Sequence, residues 1–191
     1  MERAAARPSA LNPIDAGDDV LLHPVSIADT AELYDLVDRN RAHLRKWLPW
    51  AGLTYSFGDM RRHLEERELE NTALQALTLH IRASGVLCGA VGLHHIDPRH
   101  HHSSIGYWID TGFQGRGIMT RACRALIGEA YKGYGLHRIE IRCGTGNQKS
   151  AAIPRRLGFR EEGILREAEW VHDRWVDLRV FSMLRQDWHH G

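Results

Sequence analysis

The chain has few cysteines, no long apolar run and almost no net charge. Three cysteines, Cys88, Cys123 and Cys143, occur in 191 residues, and none belongs to a CxxC pair. Such a set excludes a disulfide framework and fits reduced thiols in a cytoplasmic protein. No stretch is apolar for long enough to span a bilayer, so no membrane partner is expected. The opening Met1-Glu2-Arg3-Ala4-Ala5-Ala6-Arg7-Pro8 lacks the apolar segment of a secretory leader. Twenty-five Lys and Arg against 24 Asp and Glu leave a formal charge of +1. That balance gives no reason to expect direct nucleic-acid binding, and no RNA motif accompanies Arg61-Arg62 or Arg155-Arg156.

What is present is ordinary globular composition, 43 % apolar and 26 % charged, enough for one domain with a sizeable core. Histidine stands out at 13 residues. His100-His101-His102 lies beside Asp97-Pro98-Arg99 and reads as an exposed hairpin loop, and His189-His190 closes the chain. Metal ligands normally converge from several elements, so adventitious binding is expected and a dedicated metal site is not.

Residues 1–17, with Pro8, Pro13 and Gly17, show no periodicity and read as a flexible arm before a domain over 18–188. Asp19 to Pro24 reads as a strand. Asp29 and Thr30 are candidate caps for a helix with apolar Ala31, Leu33, Leu36 and Val37. Asp59 is a candidate cap for a charged helix ending near Asn71. Residues 74–81, 86–94 and 104–110 read as three strands, and 115–134 has helical spacing. A strand over 137–143, a short helix over 147–157 and a hairpin of 163–171 with 176–184 complete the chain. This order predicts an α/β fold, a mixed sheet with helices on both faces.

The sharpest local signal is Trp108-Ile109-Asp110-Thr111-Gly112-Phe113-Gln114-Gly115-Arg116-Gly117-Ile118-Met119-Thr120. A strand ends, a glycine-rich turn follows and a long helix begins. The first N–H groups of such a helix are unpaired and partially positive, which suits a pyrophosphate. Gly115 and Gly117 allow close backbone approach. No Lys-Ser or Lys-Thr follows, so this is not a Walker loop. A three-glycine dinucleotide fingerprint is absent as well.

Gln114-Gly115-Arg116-Gly117 resembles the acetyl-CoA loop of the GNAT acetyltransferases, with Met119 departing from the usual small residue. Asn147-Gln148-Lys149-Ser150 followed by Leu157-Gly158-Phe159 is similar to a second block of that family. His43-Leu44-Arg45-Lys46-Trp47-Leu48-Pro49-Trp50 and the segment from Glu162 to Trp170 resemble the RimJ/RimL branch, which acetylates the N-terminal amine of ribosomal proteins. The resemblance spans about Val20 to Leu184. It implies a single GNAT-like domain with a mostly antiparallel sheet of about seven strands. That sheet would splay between strands 104–110 and 137–143.

It also implies acetyl-CoA as cosubstrate and direct attack by a primary amine. The implied contacts are Tyr107, Trp108 and Ile109, whose backbone N–H groups hold the oxyanion, the loop from Gln114 through Thr120, and Asn147 along the pantetheine arm. Glu169 is the candidate base. Many members use a Tyr seven positions after the Asn as acid; here that position is Pro154, and the resemblance puts Ser150 beside the sulfur instead. Capping of the helix beside Asn147 is the other reading of Ser150. Pro154 predicts a kink or early end near residues 150–154. Trp47 and Trp50 are candidate walls of an acceptor pocket, with core packing as the alternative.

Acceptor identity stays open between a protein N-terminus and a small amine such as an antibiotic, a polyamine or an amino-acid conjugate. A non-catalytic CoA-binding module is the reading from a different class. A homodimer is expected from the family and from the prevalence of two-fold pairs.

Overall fold

A computed structural model of the chain describes residues 12–52 and 56–189. One sheet runs through it in the order β1-β2-β3-β4-β5-β6-β8-β7. The strands are β1 (Ile14–Asp15), β2 (Val20–Pro24), β3 (Leu77–Ala83), β4 (Val86–Asp97), β5 (His102–Ile109), β6 (Arg138–Gly144), β7 (Arg160–Val171) and β8 (Arg174–Leu184). The helices are α1 (Thr30–Leu44), α2 (Phe57–Thr72), α3 (Ile118–Lys132) and α4 (Gln148–Arg156). All neighbouring strands are antiparallel except β5 and β6.

The sheet has eight strands rather than about seven. Ile14 and Asp15, inside the segment expected to be an arm, pair with Leu22 and Leu21. Residues 1–11 of that segment lie outside the described residues, as does His190. The His100–His102 segment does form the β4–β5 turn, where the Asp97 carboxylate accepts the N–H groups of Arg99 and His100. No group of three metal-ligating side chains occurs among the described residues.

Each sheet face buries its own core. Leu79, Ile81, Ile139 and Phe181 pack with Ala122, Leu126 and Ile127 of α3 and Ala151 of α4. On the opposite face Leu33, Leu36, Val37 and Leu44 of α1 meet Met60 and Leu64 of α2. The α1 positions recur at helical spacing, which is why one stripe is enough. The two caps differ from expectation. Ser56 is the α2 N-cap and Asp59 completes a capping box at the third position. Asp29 makes no side-chain cap on α1. Its carboxylate is drawn away by His80 Nδ1 at 2.7 Å and by Arg82 at 2.9 Å, tying α1 to β3.

Two further imidazoles lie near α2. Burial is the main force pushing both His63 and His94 below the ordinary histidine range, with Arg67 adding to it. The unfolded chain therefore binds these protons more readily than the folded one. Stability is complete above the unfolded value of about 6.5 and falls as pH drops through the window beneath it. Urea midpoints should decline between about pH 7 and pH 5. The double variant His63→Gln, His94→Gln should flatten that decline; an unchanged slope would exonerate these two residues.

Candidate active site

β5 and β6 are hydrogen-bonded neighbours only from His102↔Arg138 to Ile105↔Ile141. Beyond that pair β5 stays on β4, with Tyr107↔Val91 and Trp108↔Ala90, while β6 stays on β8. A gap opens, and every second backbone group of Tyr107, Trp108 and Ile109 faces it. The expected splay is thus present, and its cause is the divided loyalty of the two strands.

β5 leads into the glycine-rich loop. Asp110 is buried, and its carboxylate accepts Gly112 N–H at 2.7 Å and Arg39 Nε at 3.0 Å. Buried Asn40 of α1 accepts the Thr111 N–H at 3.1 Å and its hydroxyl at 3.3 Å. Gln114 donates to His43 Nε2 and accepts from Lys149 Nζ at 2.9 Å. Burial, Lys149 and Lys46 hold His43 below its ordinary range, so its lone pair is available to that donor. These bonds tie the loop to α1 and α4. Gly115 and Gly117 adopt φ of 77° and 73°, the left-handed region that glycine enters without strain.

Gly117 is the N-cap of α3 and supplies no side-chain acceptor, so the first N–H groups of this 15-residue helix stay open to an anion. Ile118 and Met119 are buried in the α3 core. Met119 therefore offers a ligand its backbone alone, and the departure from a small residue does not crowd the loop. Arg116 is folded back onto the loop, donating to Gly112 O at 2.8 Å and covering the Phe113 ring. The Thr120 hydroxyl accepts from Arg156 at 3.2 Å.

α4 flanks the gap. Asn147 is its N-cap and accepts Ser150 N–H at 3.1 Å. The early end expected near residues 150–154 does not occur; the helix runs through Pro154 to Arg156. Proline lacks the N–H that would have bonded the Ser150 carbonyl four residues back. Tyr107 Oη takes that place, donating to Ser150 O at 2.9 Å across the gap. Ser150 Oγ in turn donates to Tyr107 Oη at 3.2 Å. Burial drives the Tyr107 phenol far above its ordinary range, so it remains a donor. Cys143 lies beside Ser150, and burial raises its thiol.

The other face of the gap carries different chemistry. Tyr107 packs with the α3 layer and its neighbour Trp108 with the α1 layer, as strand alternation requires. Trp50 meets Trp108 edge-to-face at 6.2 Å, so Trp50 is a wall of the second core. Trp47 covers Gly144 and Gly146, where an added Cβ would stand 3.3 Å from its ring. Val176 meets the same Gly144 position and pairs across the hairpin with Glu169. Trp47, Val176 and Glu169 therefore share the α1 side.

Four glutamates compete for attention in β7, and their partners separate them. Glu161 is held down by Arg155 and Arg179. Glu162 is pulled to about 2 by Arg138 and Ser182. Glu167 sits in a bulge with φ of 48°, its N–H on the Asp177 carboxylate. Glu169 alone is raised, by burial, and it has no ion pair among the described residues.

Comparison with known proteins agrees with this geometry. Residues 19–160 match the family model described as an acetyltransferase (GNAT) domain. The chain belongs to the GNAT acetyltransferase family. It is 35 % identical over 161 residues to the putative ribosomal N-acetyltransferase YdaF of Bacillus subtilis, covering 84 % of this chain and 88 % of that one. Its fold is similar to RimL, a ribosomal α-N-protein acetyltransferase solved with coenzyme A. The TM-score is 0.89 and the identity 27 %, covering 92 % of this chain and 99 % of RimL. It is also similar to the microcin self-immunity acetyltransferase MccE, solved with acetyl-CoA and AMP. There the TM-score is 0.84 and the identity 31 %, with 88 % and 94 % covered. This acetyltransferase accordingly uses acetyl-CoA to acetylate an amine.

Several parts of the site escape a reading of the acetyltransferase sequence. Asn40 was detectable as a polar residue on an apolar stripe, between Val37 and Leu44. The pairings of Arg39, His43 and Lys149 gave no signal, because their partners lie 35 to 71 residues away.

Two outcomes test this geometry. Gly117→Glu places a charge at the open helix terminus and should weaken CoA binding by ~100-fold or more, about 2.7 kcal/mol, with the circular dichroism spectrum retained. Unchanged affinity by calorimetry would move the phosphate site elsewhere. Tyr107→Phe should cost about 1–3 kcal/mol in urea unfolding by stranding Ser150 O. Adding Pro154→Ala restores an N–H to that carbonyl, so the double variant should recover part of the loss; strict additivity refutes the link.

Proposed function

We propose that this acetyltransferase modifies the N-terminal α-amine of a protein or peptide, in the manner of the ribosomal-protein enzymes it resembles. The observation that carries the reading is the placement of Glu169. It is a half-buried, unpaired carboxylate with a raised pKa, on the α1 side of the gap, while Ser150 and Tyr107 occupy the α3 side. A modestly raised base suits an α-amine, whose own pKa is about 8, better than a lysine near 10.4.

In this scheme the diphosphate of acetyl-CoA sits on the N–H groups from Gly115 to Thr120. The pantetheine arm runs into the gap past Asn147. The N–H groups along Tyr107, Trp108 and Ile109 that face the gap hold the thioester oxygen and then the oxyanion. The amine enters from the α1 side along Trp47, gives its proton to Glu169, directly or through water, and attacks the carbonyl carbon. The tetrahedral intermediate collapses with cleavage of the C–S bond. The thiolate takes its proton from Ser150 Oγ, and water returns a proton to the serine oxygen as CoA leaves.

A small amine is the second reading, favoured by the likeness to MccE, and it leaves the chemistry unchanged. A cytoplasmic site of action and a homodimer accompany the first reading.

The deciding assay follows thiol release with peptides beginning Ser, Ala or Met, the same peptides N-terminally blocked, and small amines. Turnover on free but not blocked N-termini is the expected result; turnover on small amines alone overturns it. Glu169→Gln should lower kcat/KM by about 100-fold near pH 7, with the deficit shrinking toward pH 9 as the amine loses its proton unaided. A pH profile parallel to that of the wild type removes Glu169 as base.

A further inference from the structure

A cavity of about 280 Å³ lies between the end of α1 and the β7–β8 turn. Arg45 and Lys46 line one side; His172, Asp173 and Arg174 line the other. Three cations thus face one carboxylate. Among the described residues none of the three cations has an ion-pair partner, although arginines elsewhere are commonly paired. The Arg174 guanidinium holds the Lys46 carbonyl at 3.0 Å, which pins the turn to α1 and fixes the cluster. Lys46 also contributes to the depressed state of His43 one turn earlier, so positive potential extends toward the cofactor loop.

The position matters as much as the charge. Val171 pairs with Arg174, two residues along β7 from Glu169. Residues two apart in a strand share a face, and their spacing is about 7 Å. A group bound in the cavity therefore lies roughly two extended residues beyond an amine held at Glu169. Uncompensated cations at that distance favour an anion and oppose a polycationic amine.

We propose that this cavity is an anion subsite of the acceptor cleft, which takes a carboxylate or phosphate about 7 Å from the reacting amine. For a peptide, that is an acidic side chain at the second or third residue. The inference rests on the reading that places the acceptor beside Glu169.

The test uses the full chain with saturating acetyl-CoA and two probe sets. One is Ser-Glu-Glu, Ser-Gln-Gln and Ser-Lys-Lys peptides of common length; the other is 5-aminopentyl phosphate against 5-aminopentanol. The acidic peptide should exceed the glutamine peptide by about tenfold in kcat/KM, an advantage that shrinks with salt. The double variant Arg45→Glu, Lys46→Glu, at two exposed positions, should invert the order toward the lysine peptide. Equal kcat/KM within both sets, or an acidic preference that survives charge reversal, overturns the subsite. Charge-blind turnover of free N-termini does so while leaving the peptide reading intact. Preference for the aminopentyl phosphate without peptide turnover keeps the subsite and removes the peptide. Should neither set turn over, the same probes are titrated calorimetrically into CoA-saturated enzyme. Charge-reversible binding then supports the subsite, and its absence overturns it.

Discussion

Everything functional in this molecule depends on the point where β5 and β6 stop pairing. Up to Ile105↔Ile141 they form a parallel ladder, and beyond it each follows its other neighbour. The unpaired backbone that results is costly to bury without a partner. Those groups face the gap, which the Tyr107 hydroxyl spans to reach the Ser150 carbonyl of α4. A continuous ladder would have been more stable and chemically silent.

The glycine-rich loop before α3 shows a related economy. Its glycines supply freedom at Gly115 and Gly117, while α1 removes freedom everywhere else through Asn40, Arg39 and His43. Each such hydrogen bond contributes only about 1 kcal/mol net, but removing the Asn40 amide leaves the Thr111 N–H without its acceptor. The same helix runs on by hydrogen-bonded turns into Trp47 and Leu48. One element thereby positions both the glycine-rich loop and the Trp47 ring over Gly144 and Gly146.

The loop was legible because its chemistry is local: strand end, two glycines, helix start. Trp50 and Trp47 looked alike in sequence, yet one is a core wall against Trp108 and the other covers Gly144 at the end of β6 and Gly146 just beyond it. Pro154 read as a helix breaker. In the fold it frees the carbonyl that Tyr107 needs, because the compensating donor comes from a strand 43 residues earlier.

The sequence by itself determined the periodicities, the two-faced mixed sheet and the anion-ready start of α3. Apolar spacing and glycine stereochemistry act over a few residues, so they can be read along the chain. Only the tertiary structure decided which of the four β7 glutamates is free to accept a proton. The arginines that occupy Glu161 and Glu162 come from β6, α4 and β8, and desolvation of Glu169 exists only once those elements pack.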